Sequence, residues 1–222
     1  MAKKNLDFVI YNTKYGQEIV RKYIVPNDPK TTKQLTHRMK LSVANRGIPP
    51  LKDVIRRGFK GTHNAYRKVV QNAINNAIEG EYPNLYLNYS KIQVADGKLQ
   101  PLFGLKMKFD ERTGKVIFTW DLQTEEQSKW CSKGDRINIA CLNESYKESH
   151  NDSINDPILN AVYVNNASKR SEGNAEIDLK KLFDNKGVYE ISGKLHFWVY
   201  LESLETGEVS GSVYAMWSCL KS

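Results

Sequence analysis

The chain has 222 residues, 40% of them hydrophobic and 26% charged, which is enough to bury a substantial core and argues against wholesale disorder. Its formal net charge is +8. No stretch approaches the roughly 18 consecutive apolar residues of a membrane span, and the opening "MAKKNLDFVIYNTKYG" turns polar too soon for a signal peptide, so the expected place of synthesis and assembly is the cytoplasm, with no membrane partner.

The charge is unevenly placed. Residues 1–80 hold 16 Lys/Arg against 5 Asp/Glu, a net of +11, whereas residues 81–222 hold 17 against 20, a net of −3. Such a division points to two regions with different tasks, 1–81 and 82–222, and to an acidic partner for the first.

"LDFVIY" and "QEIVRKYIV" flank the turn-rich "NTKYG" and predict an N-terminal β-hairpin, closed by "PNDP". The period then changes. Thr31 or Thr32 can cap a helix through "KQLTHRMKLSVANR", with Leu35, Met39 and Val43 on one face and Gly47 as its stop. A short helix "LKDVIRR" follows "IPP" and ends at Gly58. In a third helix, capped by Thr62 and closed by Gly80, Tyr66, Val69, Val70, Ala73, Ile74, Ala77 and Ile78 recur at the spacing of a buried face.

From Tyr82 the pattern becomes β-like: "LYLNYSKIQVA" before an Asp-Gly turn, "FGLKMKFD" and "KVIFTW" around "ERTG", then "RINIACL", "PILNAVYV", "AEIDL", "KLHFWVYLE" and "VSGSVYAMW", the last two joined through "ETG". The polar stretch from Asn143 to Asp156 predicts a surface loop. The fold class expected is therefore α+β: an N-terminal hairpin, a basic three-helix unit, and an immunoglobulin-like antiparallel β-sandwich.

Catalytic constellations are missing from the sequence. There is no GxSxG, GxxxxGK[ST], GxGxxG after a strand, or HExxH. His37, His63, His150 and His196 are scattered, and His196 is expected as an ordinary strand residue. His150 with Asp152 and Asp156 imitates a metal site, but a solvated loop is the simpler reading. The acid pairs Asp110-Glu111 and Glu125-Glu126 fall in expected turns. Cys131, Cys141 and Cys219 are odd in number with no CxxC pair, which suggests neither disulfides nor zinc. The expectation is a protein without enzymatic activity, metal or cofactor.

One cluster remains. Arg56, Arg57, Lys60, Arg67 and Lys68 lie in "DVIRRGFKGTHNAYRKVV" and could contact an acidic protein or nucleic-acid phosphates. A solvated helical surface is the favoured reading of these cations. Arg67 and Lys68, near a helix N-terminus, gain nothing from the helix dipole, which is a point in favour of a partner.

The segments "TTKQLTHRMKLSVANRGIPPLKDVIRRGFK", "AINNAIEGEYPNLYLNYSKIQVADGKL", "VIFTWD" and "FWVYLESLETGEVSGSVY" together resemble an uncharacterised Bacteroidota family of unknown function. Its recurring features are TxxQLxxRxKL, GFK, YPNxxxxYSK and a final SxSVY. The resemblance implies a helical-plus-β binding or structural protein, often associated with phage-derived gene sets, and no catalytic residues. The N-terminus departs from the family's glycine-rich, Trp-containing one, and residues 143–157 look expanded.

The function expected is thus a structural protein of a bacteriophage virion, in the tail or neck, acting by self-association into a cyclic homo-oligomer and by contacts with other virion proteins. The alternatives are a cytoplasmic nucleic-acid-binding protein using the five cations, and a surface- or carbohydrate-binding β-sandwich. The latter would need an exposed Trp120, Trp130, Trp198 or Trp217, of which only Trp130 looks placed in a loop.

Overall fold

A computed structural model describes residues 3–5, 8–24, 28–110, 112–122, 130–145, 158–184 and 193–218, with backbone alone for 3–5. The chain forms two compact units, Met1–Leu35 and Thr36–Ser222.

The first unit is built on three antiparallel strands, β1 (Lys3–Asn5), β2 (Phe8–Asn12) and β3 (Glu18–Lys22), in that order. The expected hairpin is β2–β3. Its turn is held by Gly16, at φ +78°, and by the Gln17 N–H donating to Thr13 Oγ1 at 3.2 Å. The third strand escaped the sequence reading because "KKN" carries no β signal. Register pairs Ile10 with Val20 and Phe8 with Lys22, so Phe8, Ile10 and Val20 share one face. No described side chain of this unit is buried.

Helix α1 (Thr32–Gly47) starts with a capping box: the Gln34 N–H donates to Thr31 Oγ1, and the Thr31 N–H donates to Gln34 Oε1. Its Val43 and Ala44 are buried, and Met39 packs against them. A 3₁₀ turn at Pro49–Leu51 leads into α2 (Lys52–Gly58). Gly58 is obligatory for its neighbours: an added Cβ would lie 2.2 Å from the Val94 carbonyl oxygen.

Helix α3 (Ala65–Asn76) begins later than expected, and Thr62 does not cap it. The Thr62 N–H is taken by the Phe59 carbonyl in the turn that closes α2, and the N-cap is Asn64 at φ +57°, without a side-chain bond. The helix also stops before Ile78. Ile78–Glu79 form β4, paired with β5 (Tyr86–Leu87). Gly80, at φ +92°, lets this loop close, with its would-be Cβ 2.3 Å from the Asn84 carbonyl oxygen. Ala77 and Ile78 are buried as the stripe predicts, though neither is helical. The long strand expected in "LYLNYSKIQVA" is broken because the Asn88 side chain accepts from both the Ser90 N–H and Oγ–H, turning Tyr89–Lys91 into a 3₁₀ turn. Asp96-Gly97 is accordingly no hairpin turn; Leu99 instead bridges to Ser210.

Two antiparallel sheets complete the second unit. Strands β6 (Lys106–Asp110) and β7 (Lys115–Thr119) meet at a turn in which the Asp110 carboxylate accepts from the Arg112 N–H and the Thr113 hydroxyl. They are followed by β8 (Arg136–Ser145), β9 (Ile158–Lys169), β10 (Asn174–Asp178), α4 (Leu179–Asp184), β11 (Lys194–Glu202) and β12 (Val213–Ser218). The sheet orders are β10-β7-β6 and β12-β11-β8-β9. Asn143–Ser145, expected in a loop, extend β8; the rest of that loop lies outside the described residues. Helix α4 was not foreseen; Asp178 starts it by accepting from the Lys181 N–H at 2.9 Å.

Strands β8 and β11 are buried on both faces. Ala140, Leu142, Trp198 and Tyr200 join the helices in one core, while Ile139, Cys141, Phe197 and Val199 join Val116, Phe118 and Ile177 of the smaller sheet in a second. Trp198 anchors the first by donating from Nε1 to the Ile92 carbonyl at 2.8 Å. Among the described residues, no helix is long and apolar enough to cross a membrane.

Candidate functional site

The five cations marked out by the sequence do not form one patch of identical standing. Arg56, in the last turn of α2, lies 3.8 Å from Asp53 one turn earlier. The Arg57 guanidinium sits 5.3 Å from the centre of the Tyr163 ring on β9. Lys60 is ion-paired with Glu202 at the end of β11, whose other oxygen accepts from the Asn138 amide. Tyr163 in turn shares a 2.7 Å hydrogen bond with Tyr200, whose hydroxyl burial pushes well above its ordinary pKa. Arg57 and Lys60 therefore tie the end of α2 to the sheet. Their charge is partly spent inside the protein.

Arg67 and Lys68 differ. Both are exposed in the first turns of α3, and neither forms an ion pair with a described residue. Continuing along the same outer side, Gln71, Asn72, Asn75 and Asn76 are also exposed, while Ala65, Val69 and Ala73 are buried. Tyr66 is half-buried against the core, and Lys52 lies over its ring at 5.8 Å. The amides of α3 were legible as polar positions of the helix, but only the assembled core shows that they form one uninterrupted outer face.

A second candidate is a cleft of about 1010 Å³ lined by helix α1, the loop that follows it, the β4–β5 region and the end of the four-stranded sheet. Its floor is polar. His196 on β11, 4% exposed, places Nε2 3.0 Å from Glu144 on β8 and Nδ1 2.7 Å from the Tyr214 hydroxyl on β12. Its ring lies 4.5 Å from that of Tyr89. Walls come from Met39, Val43, Leu87, Leu159 and Met216. Burial, with the negative charge of Glu144, pushes the Tyr214 phenol up to about 12. The tautomer that satisfies every atom has the Tyr214 O–H donating to Nδ1 and the Nε2–H donating to Glu144. The order hydroxyl, imidazole, carboxylate has the outline of a proton relay, with Tyr214 and Glu144 on opposite ring nitrogens of His196. Its evident work is to join β8, β11 and β12. His196 is a strand residue, as expected, but its two partners were hidden by sequence separations of 52 and 18 residues.

A buried ion pair holds the opposite end of the unit. Asp135 and Arg170, 1% and 5% exposed, approach to 3.2 Å, and Arg170 also donates from Nη2 to the Gln100 carbonyl at 2.6 Å. Trp120 and Trp198 are buried, whereas Trp130 and Trp217 are partly buried where they pack against the second core. Cys131 and Cys141 are buried, and burial drives the Cys141 thiol upward. His150, Asp152, Asp156, Glu111, Glu125, Glu126 and Cys219 lie outside the described residues.

Fold and surfaces together define a mixed α/β protein in which helices and antiparallel sheets share cores. Within that class the chain belongs to a family of unknown function, DUF6266, matched over residues 2–214. No curated protein and no solved structure matches it.

Proposed function

We propose that the chain is a non-enzymatic assembly protein that acts by self-association and by contacts with neighbouring proteins, in the tail or neck of a bacteriophage particle. The observation that carries this reading is the N-terminal sheet. Three short strands present Phe8, Ile10 and Val20 on one face, with Phe8 47% and Val20 56% exposed and no described side chain buried. So small a sheet does not repay its ordering entropy with both faces wet, and a covering surface supplies the missing burial.

Charge favours a second copy as that cover. Residues 1–35 hold seven Lys/Arg against three Asp/Glu, whereas residues 81–222 carry a net of −3. The sheet of one copy docking on the β-rich part of the next is a head-to-tail contact, which closes into a ring when the rotation allows. In this reading the two sheets of the second unit form an immunoglobulin-like sandwich serving as the rigid body. The phage setting rests on the family resemblance.

The test is particle mass by mass photometry, on the full chain and on Phe8→Asp/Val20→Asp. A discrete multimer that the double substitution reduces to monomer, with an unchanged thermal melt of the second unit, is the expected result. A wild-type monomer at every concentration and salt refutes self-association.

A further inference from the structure

We propose that α3 is a DNA-contacting helix, with Arg67 and Lys68 on backbone phosphates and Gln71, Asn72 and Asn75 toward base edges. The inference stands independently of the assembly reading.

Residues 32–78 contain ten Lys/Arg and one acid, Asp53, which Arg56 already engages. Helix α3 itself has no acid at all. An ordinary solvated helix mixes signs, because Glu or Asp one turn from Lys or Arg lends it stability, and acids belong in its first turn. Here the first turns carry Arg67 and Lys68, which oppose the helix dipole and find no anionic partner among the described residues. An external anion removes that cost. The contrast with Arg57 and Lys60, both engaged with the sheet, makes the two α3 cations the available ones.

The rest of the face decides what kind of anion. Beyond the cations lie amides, with Asn72 and Asn76 hydrogen-bonded to each other at 2.5 Å. An acidic protein surface would be met by more cations. Asn and Gln pair in two-point fashion with adenine N6 and N7, and Arg with guanine or phosphate, so a face of two cations followed by amides suits a groove lined by phosphates and base edges. Twelve helical residues span about 18 Å, and a helix fits the major groove of B-DNA but not the deep, narrow one of A-form RNA. The occupant is therefore duplex DNA.

The experiment is fluorescence anisotropy of the full chain with a mixed-sequence DNA duplex of about 20 base pairs, between roughly 50 and 200 mM salt. The expected result is binding that weakens steeply with salt. In Arg67→Ala/Lys68→Ala the slope of log affinity against log salt becomes shallower by about 2, one unit for each lost phosphate contact. Gln71→Ala/Asn72→Ala/Asn75→Ala leaves that slope in place and flattens the sequence preference obtained by selection from a random duplex pool. Lys180→Ala/Lys181→Ala on α4 changes neither. All these positions are exposed on helical surfaces, and thermal melts check that each variant folds. Absence of binding at the low salt, an unchanged slope in the Arg67/Lys68 variant, or equal affinity for polyglutamate or duplex RNA overturns the proposal.

Discussion

Replacing Arg170 by Met tests how the second unit is held together. The substitution keeps most of the aliphatic stem but removes the guanidinium 3.2 Å from Asp135 and the bond to the Gln100 carbonyl. Asp135, 1% exposed, would retain, among the described residues, the Ser132 N–H at 3.0 Å to stabilise its carboxylate. The backbone bonds at this joint, from the Arg170 N–H to the Asp135 carbonyl and from Trp120 Nε1 to the Arg170 carbonyl, survive the change. The loss is therefore that of a buried charge without its partner, about 3–5 kcal/mol. At roughly 2–4 °C per kcal/mol for a chain of this size, the melting temperature falls by about 6–20 °C. Removing the stranded charge as well, in Asp135→Asn/Arg170→Met, returns part of that loss, so the double variant is more stable than the sum of the single ones predicts by at least about 1 kcal/mol. Urea unfolding of the four proteins, with m-values compared, measures the coupling. A loss below about 1 kcal/mol for Arg170→Met, or additivity of the two changes, refutes the reasoning.

Gly58→Ala pushes a methyl group against the Val94 carbonyl and Ala95, and is expected to cost about 1–3 kcal/mol in the same assay. Glu79 accepts from Asn88 and Tyr86 and pairs with Lys91, and the Lys91 contact first among these holds its carboxyl down to about 2. Its contribution is present above the ordinary carboxylate pKa and is lost as pH falls through about 2, so melts of Glu79→Gln and wild type should converge between pH 5 and 2. Tyr214 has the opposite sign of dependence: its phenol is raised to about 12, so stability tied to the protonated form is kept below pH 10 and lost as pH rises toward 12. Tyr214→Phe should show a shallower alkaline decline, and an identical decline would contradict the assigned hydrogen bond to His196.

Much of the fold was legible because its determinants are local. The capping box of Thr31 and Gln34, the glycine stop of α1, and the turn in which Asp110 binds Arg112 and Thr113 are all closed within a few residues. The helical stripe of α3 named the right core residues but missed the helix end, since the ladder between Ile78–Glu79 and Tyr86–Leu87 wins over helix continuation there. "RINIACL" and "KLHFWVYLE" showed strands without showing that both faces would be covered. Continuous apolar runs of that length are what a strand between two layers requires, but the helices forming one of those layers lie far away in sequence. The candidate site was harder for the same reason. Lys60 meets Glu202 across 142 residues, and no local pattern distinguishes it from Arg67 or Lys68, which meet nothing described.

Double-sided burial of β8 and β11 has a consequence for where function can reside. The centre of the second unit is committed to packing on both faces, and the two proposals accordingly rest on peripheral features: the exposed apolar face of the N-terminal sheet and the acid-free face of α3. They differ in what completes them. Apolar burial is insensitive to moderate salt, whereas cations on phosphates release counterions and weaken steeply as salt rises. A salt titration followed for particle mass and DNA affinity on the same preparation therefore separates the two. Multimers that persist while DNA binding fades place assembly on the sheet and DNA on α3, whereas loss of both together would mean that the basic surface drives association as well, and Arg67→Ala/Lys68→Ala would then reduce the particle mass.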